Sequence, residues 1–443
     1  MKRPMRLAVL FGAALLLLQL TGCIMKSADE LYRVPQRSST YIHLQQAAEK
    51  AMGAAGSYCA PQSGSNRQAI QTADVDGDGQ DEYLAYCMVP GEHPLKTFVF
   101  HRDGDTFDLQ CTLEGDGTAF DSVQYVQLDG AEGMELLIGR RISEQKLQSV
   151  SVYTVKNSEP VELLSASYAY FSTLDLTGDD RTDLLLIHSD SELRNAVAEL
   201  YFWKDGSLNR SNQVDMSAPA ESVKRILTGN MVEEVPAVFV ASTYDENNIV
   251  TDILAMVDGS LQNVSLSDES GFSAQTIRSY YVFSEDIDGD GLTEIPGTVS
   301  LPSVSWDVGS EDQTMILWVN INPDGSRTEK LRTYHNYSSG WYLVLPQTWT
   351  ENLLVTRRIS GNSLNTVFCL LEEDGNTVQE IMTLYALSGS DAEERSSADG
   401  RILLGHSGST WYSASLGTTA LTADMGGEEI QKLFHLFSTD ANK

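Results

Sequence analysis

Cysteine is scarce in this chain, with five in 443 residues. Cys59, Cys87, Cys111 and Cys369 are too scattered for a disulfide scaffold, and no CxxC pair or Cys/His zinc spacing accompanies them. Pairing among Cys59, Cys87 and Cys111 stays open. Positive charge is short as well: 30 Lys and Arg face 62 Asp and Glu, for a formal net charge of −32. Such a chain is soluble, is repelled by nucleic acid and anionic membrane surfaces, and attracts cations. A long hydrophobic run is also missing. The apolar stretch at 7–20 is shorter than the roughly 20 residues that span a bilayer, which makes a permanent helical anchor the weaker reading there.

What that stretch does resemble is an export signal. Lys2, Arg3 and Arg6 form a short basic region, the apolar run follows, and Leu20-Thr21-Gly22-Cys23 closes it. The closing residues resemble the lipobox of bacterial lipoproteins. That resemblance implies cleavage before Cys23, a diacylglycerol on its thiol, and attachment to the membrane through that lipid. The protein would then face outward, or into a periplasm if the cell has two membranes. Residues 1–22 are accordingly expected as signal peptide, 23–40 as a polar tether, 41–56 as a short helical lead-in and 57–443 as the folded body.

The body repeats itself. Five segments align without gaps: DVDGDGQDE from Asp74, QLDGAEGME from Gln127, DLTGDDRTD from Asp175, ILTGNMVEE from Ile226 and DIDGDGLTE from Asp286. They recur at spacings of 53, 48, 51 and 60 residues. A strand-like run precedes each, as at 122–126, and an apolar run follows, as at 136–138, 184–187 and 235–240. A second marker recurs independently, in Asp103-Gly104, Asp205-Gly206, Asp258-Gly259, Asp324-Gly325 and Asp374-Gly375. Asp-Gly favours the positive φ angles of tight hairpins; the second unit offers Lys156-Asn157-Ser158 instead. The unit therefore reads as strand, acidic loop, strand, connection, strand, hairpin, strand. Four strands in about 50 residues is the pattern of a propeller blade.

The expected fold is thus all-β: a β-propeller of about seven four-stranded blades, with six or eight open, and short N- and C-terminal helices. A sixth blade is expected from the strand-like runs 341–345, 353–356 and 367–371, with a loop at 347–352 that has lost its acids. The seventh would use 401–404 and 410–416, closed by the end of the chain or by a strand near Ser57. Residues 428–437 have helical spacing.

The acidic loops suit calcium. In the first, Asp74, Asp76, Asp78 and Glu82 hold positions one, three, five and nine, while Gln80 offers its backbone carbonyl. Alternate positions turn inward as the loop curls, and Gly77 and Gly79 permit the curvature. Four carboxylates, a carbonyl and water supply the six to eight hard oxygens that Ca²⁺ prefers. The last loop repeats the set with Asp286, Asp288, Asp290 and Glu294 and the carbonyl of Leu292. A third set is Asp175, Thr177, Asp179 and Asp183, with Arg181 at the carbonyl position. The loops at Gln127 and Ile226 keep too few acids and read as metal-free turns. Two Ca²⁺ sites are expected, with a third open. Plain Asp/Gly turns are the competing reading.

These loops resemble the calcium loops of FG-GAP or VCBS-type repeats, found in integrin α-subunit propellers and many bacterial surface proteins. The likeness covers roughly 57–336 by motif and the remainder by strand pattern. It implies that each loop joins the first two strands of a blade and that its calcium is structural. Thr177 in place of an acid departs from the pattern.

No catalytic motif stands out. The seven histidines, His43, His93, His101, His188, His335, His406 and His435, show no HExxH or paired-ligand spacing. Gly405-His406-Ser407-Gly408-Ser409 approaches a nucleophile elbow, but its last residue is Ser, and a strand-like run follows where a helix is required. Sialidase-type Asp-boxes are missing. Tyr280-Tyr281, Trp341-Tyr342, Trp349 and Trp411-Tyr412 suit either a sugar-binding surface or, at strand spacing, the core. The leading expectation is a non-enzymatic binding or scaffold module on the cell surface with an unidentified protein or glycan ligand. The alternatives are an envelope-assembly lipoprotein holding a protein partner and a polysaccharide-active enzyme. No nucleic-acid partner is expected.

Overall fold

The computed structural model describes residues 39–437, apart from 144–147, 157, 190–194, 268, 280–281, 306, 308–312, 374, 376 and 424. The signal segment, most of the tether, Cys23, Tyr280-Tyr281 and Asp374 lie outside the described residues. The protein is mostly antiparallel β, and the described strands form six consecutive sheets of four or five strands. Sheet I holds Ile70–Ala73, Glu82–Met88, Leu95–Asp103 and Thr106–Gly115, with Ser57–Tyr58 beside the far end of Glu82–Met88. Sheet II holds Ala119–Val126, Glu135–Arg141, Gln148–Lys156 and Glu159–Tyr168. Sheet III holds Tyr170–Leu174, Asp183–Ser189, Ala196–Lys204 and Ser207–Asp215, and sheet IV holds Val223–Asn230, Pro236–Thr243, Ile249–Val257 and Ser260–Asn263. Sheet V runs Ile295–Ser300, Thr314–Ile321, Arg327–Asn336, Trp341–Leu345 and finally Phe434–Leu436. Sheet VI runs Leu353–Ser360, Ser363–Leu371, Val378–Leu387, Thr410–Leu416 and Ile402–Ser407.

In sheets II, III and IV the order of pairing follows the chain, because tight turns bring neighbouring strands together, whereas the last two strands of sheet VI are exchanged. Asp205-Gly206 has φ of 52° and 79°, and Asp258-Gly259 has 51° and 75°. Two positive angles in a row match the right-handed twist of the strands they join.

The apolar runs show why the sheets stack. Successive side chains of a strand point to opposite faces, so a run apolar at every position is buried on both sides. Leu136 and Ile138 pack toward sheet I with Leu84, Tyr86 and Val99, whereas Leu137 packs toward sheet III with Leu184 and Leu186. Leu185 and Ile187 in turn meet Val238 and Val240 of sheet IV, and Phe239 meets Ile295 and Val319 of sheet V. Trp341, Leu343, Val355, Phe368 and Tyr412 join sheets V and VI. The outer face of sheet I is covered by helix α1 (Ser39–Met52), through Leu44, Ala48 and Met52 against Ala85, Phe98 and Phe100. Among the described residues no apolar cluster joins sheet VI to sheet I.

Four expectations change. Ile402–Ser407 and Thr410–Leu416 do not begin a seventh blade: Thr410–Leu416 pairs with Val378–Leu387 and extends sheet VI. The chain turns back through the short helix α2 (Ala392–Ser396), and the free edge of Val378–Leu387 supplies the nearest unpaired backbone groups. Trp341–Leu345 does not open the sixth blade but pairs with Arg332–Asn336 of sheet V. The C-terminal helix α3 stops at Gly427–Leu433, and Phe434–Leu436 becomes a strand on Trp341–Leu343. There Phe434 lies against Trp341 and Tyr412, and that packing outweighs the helical pattern. Ser57–Tyr58 joins sheet I and closes no later sheet. Cys59, Cys87, Cys111 and Cys369 are free thiols. Trp341 and Trp349 are wholly buried and Tyr412 nearly so, which makes them core residues.

Candidate metal-binding loops along one edge

Four of the five repeated loops lead into the second strand of their sheet, and the Asp286 loop leads into Ile295–Ser300, the first strand of sheet V. The ninth residue starts or immediately precedes that strand: Glu82, Glu135, Asp183 and Glu294. All four are buried, and each accepts a hydrogen bond from the backbone N–H of the second loop residue: Val75 at 3.1 Å, Leu128 at 2.8 Å, Leu176 at 2.9 Å and Ile287 at 3.1 Å. Burial pushes all four carboxyls above their usual range, and Glu294 reaches about 7. A buried acid that closes its own loop is the shared framework.

The loops also touch one another. Met134 N donates to Asp74 O at 2.9 Å, Thr182 N to Gln127 O at 2.8 Å, and Thr293 N to Asn230 O at 2.8 Å. Met134, Thr182 and Thr293 all hold the eighth position of their loops, so the loops of neighbouring sheets lie side by side. Gly77 has φ of +79°, and a Cβ there would come within 2.5 Å of the Glu132 carbonyl oxygen. Glycine is therefore required for this approach as well as for the turn.

In the first loop, Asp74, Asp76 and Asp78 each bring an oxygen within 4.8 Å of the others. Asp74 is held by Gly77 N at 2.7 Å and Gly79 N at 3.0 Å, Asp76 by Asp78 N at 3.1 Å, and Asp78 by Gln80 N at 2.7 Å. A second grouping in the same place joins Asp78, Glu82 and His101. His101 comes from the third strand of sheet I, with Nδ1 3.4 Å from Glu82 Oε1. Gln110, from the fourth strand, donates to Asp76 at 2.6 Å.

Asp286, Asp288 and Asp290 gather in the same way. Gly289 N and Gly291 N hold Asp286 at 2.7 and 2.9 Å, and Leu292 N holds Asp290 at 2.9 Å. Lys330 adds its ammonium, 3.0 Å from Asp288 Oδ2 and also bonded to Asp290. That contact holds Asp290 below the usual carboxylate range. Glu294 Oε1 is buried without a hydrogen-bond partner.

The remaining loops carry their own substitutes. Asp175 accepts from Gly178 N at 2.6 Å and Asp180 N at 2.8 Å, and Asp183 accepts from Thr177 N at 2.8 Å. Arg181, however, turns its guanidinium onto Asp179, which lowers that carboxyl, and the acids of this loop form no three-ligand cluster among the described residues. In the Gln127 loop the side-chain amide braces the turn: Nε2 donates to Ala131 O at 2.6 Å and Gly133 O at 2.9 Å, while Oε1 accepts from Gly130 N at 2.9 Å. The Ile226 loop is mostly absorbed into the strand Val223–Asn230.

Sequence reasoning missed His101, Gln110 and Lys330, which lie 27 to 44 residues beyond the start of the loop they serve. One signal was available. Gln110 follows the glycine of its Asp-Gly turn by six residues and Lys330 follows its own by five, so both sit early in the strand after the hairpin.

A cavity of about 330 Å³ opens between sheets V and VI, lined by Tyr334, His335, Tyr337, Arg357, Thr298 and Gln313 among others. Beside it is an aromatic column, with Tyr337 stacked on Phe437 at 5.3 Å and Tyr342 on His435 at 4.8 Å. Burial lowers the His335 pKa to about 4.

No family model matches the chain, and no curated protein matches it. Among solved structures, a protein from Lactobacillus plantarum is similar at 12% identity and a TM-score of 0.25, over 72% of this chain and 89% of its own. The rhamnogalacturonan lyase YesW is similar at 10% identity and a TM-score of 0.27, over 76% of this chain and 71% of its own. A Bacillus licheniformis rhamnogalacturonan lyase is similar at 11% identity and a TM-score of 0.26, over 82% and 72%. At these TM-scores the likeness carries neither fold nor function across. What the chain's own residues define is an antiparallel β protein whose repeated loops lie side by side in two runs, at 74, 127 and 175 and at 226 and 286. No helix among the described residues is long and apolar enough to cross a membrane.

Proposed function

We propose that this chain is an exported lipoprotein held to a membrane through Cys23, whose propeller-type array of sheets is a binding or scaffold module stabilised by calcium. The observation that carries the calcium reading is the matched gathering of Asp74, Asp76 and Asp78 and of Asp286, Asp288 and Asp290, each within 4.8 Å. All the carboxylate donors are hard oxygens, and the buried oxygen of Glu294 that lacks a hydrogen-bond partner is one that an ion would satisfy. The ion would offset the repulsion within each loop and stiffen an edge already linked by backbone hydrogen bonds. Six consecutive sheets favour the lower end of the expected six to eight blades. The cavity and aromatic column between sheets V and VI favour a binding role: aromatic faces suit a sugar ring or a protein side chain. The cavity between sheets V and VI carries no carboxylate in its lining, so it offers no acid pair of the kind a glycoside hydrolase uses.

Two measurements test this. Cys23→Ser should move the protein from the membrane fraction to the soluble one and remove the lipid mass from its N-terminus; unchanged membrane association would refute the anchor. Excess chelator should lower the thermal midpoint by a few degrees. With free calcium about tenfold above Kd, each occupied site contributes about 1.4 kcal/mol. A midpoint indifferent to chelator removes calcium from the account.

A further inference from the structure

The two best acidic loops are nearly identical in sequence, DVDGDGQDE and DIDGDGLTE, and differ in what a neighbouring strand lays over them. The difference arises at a β-bulge. In sheet I, Val99 pairs with Cys111 and Phe100 with Leu109, which leaves Gln110 as the extra residue. In sheet V, Trp318 pairs with Leu331 and Val319 with Glu329, which leaves Lys330. A bulge re-aims the side chain it frees, and here both freed side chains reach the acidic loop of their own repeat. Gln110 brings a neutral amide to Asp76, whereas Lys330 brings an ammonium to Asp288 and Asp290.

We propose that the Lys330 ammonium is the resident cation of the Asp286 loop, which a divalent ion enters only by displacing it, whereas the Asp74 loop takes its ion without that competition. This rests on the reading of the acidic loops as metal sites. An ammonium has one charge and three donors, so it relieves the repulsion between Asp288 and Asp290 yet leaves part of the cluster unsatisfied. Glu294 is wholly buried, its electrostatic neighbours are Asp288, Asp290 and Lys330, and its Oε1 has no hydrogen-bond partner. That orphaned oxygen is the place left for a divalent ion to compete. Two loops of one sequence type are therefore unequal sites, and the bulge residue sets the order in which they fill.

Calcium titration of the full chain by calorimetry, after removal of bound metal, distinguishes the outcomes. Wild type should show one tight site, abolished by Asp76→Asn, and a second site weaker by about tenfold or more, since an opposing unit charge a few ångströms from the ion costs at least that much. Lys330→Gln should tighten the second site by about tenfold, and adding Asp288→Asn should remove the gain. Lys330→Met, which removes the charge with a different side chain, should behave alike. An isotherm unchanged by both Lys330 variants overturns the proposal, as do two equal sites in wild type. If no variant binds calcium, the metal reading and this proposal fail together. If Lys330→Gln gains a site that Asp288→Asn removes while wild type lacks any site sensitive to Asp76→Asn, the Asp74 loop is no metal site and the role of Lys330 stands.

Discussion

Asp252→Ala should destabilise the protein by about 3–5 kcal/mol, a drop of about 4–6 °C in thermal midpoint for a chain of this size. Asp252 lies in the third strand of sheet IV and is wholly buried. Its Oδ1 accepts from Ser217 Oγ at 2.6 Å, Ser273 Oγ at 2.7 Å and Asn263 Nδ2 at 2.9 Å, and its Oδ2 accepts from Ser217 N at 2.9 Å. Those donors come from three places: the link between sheets III and IV, the edge strand of sheet IV, and the segment that leaves sheet IV for sheet V. One carboxylate therefore fastens two inter-sheet connections. Alanine would strand the donors in a space that water does not easily reach, and each unmade buried bond costs about 1–3 kcal/mol. Asp252→Asn should cost less, because it keeps the shape and one acceptor while turning an NH₂ toward a donor. Thermal unfolding of both variants checks this. A midpoint within a degree of wild type for Asp252→Ala would show that the network relaxes around the loss.

Asp252 also marks where sequence reading stopped. In the sequence it is one acid in an apolar strand, and nothing local separates it from a solvent-facing one. Its partners lie 11 to 35 residues away and converge only after three sheets have stacked. The strands themselves were legible, because burial on both faces writes continuous apolar runs such as 184–187, and hairpins write Asp-Gly. The loops were legible for a similar reason: gathering three carboxylates within 4.8 Å demands fixed positions along a short segment. The sixth sheet was misread because strand pairing is long-range. Thr410–Leu416 looks the same whether it begins a new blade or pairs with Val378–Leu387, and only the available edge decides. Lys330 and Gln110 were hidden by one-residue bulges, which shift a side chain without leaving a mark in composition.

Arg278→Ala should lower stability by about 3 kcal/mol or more and, beyond that, weaken any ion held by the Asp286 loop. Arg278 is only 2% exposed and lies on the segment that runs from sheet IV to that loop. Its guanidinium donates from Nε to Val282 O at 2.6 Å, from Nη1 to Thr276 O at 2.8 Å and from Nη2 to Thr251 Oγ1 at 3.0 Å. No carboxylate is among these partners. Burial lowers its pKa to about 10, still far enough above neutrality to keep the group charged. The planar fork thus works as a strut that spans sheet IV and the approach to the loop, a geometry the single ammonium of lysine does not reproduce. Arg278→Lys should therefore recover only part of the loss. Because Val282 lies four residues before Asp286, releasing its carbonyl frees the segment that positions the first ligand. The calcium affinity gained by Lys330→Gln should accordingly fall when Arg278→Ala is added, while the site at Asp74, on a different sheet, keeps its affinity. An equal loss at both sites would mean that Arg278 supports the whole array and not this loop.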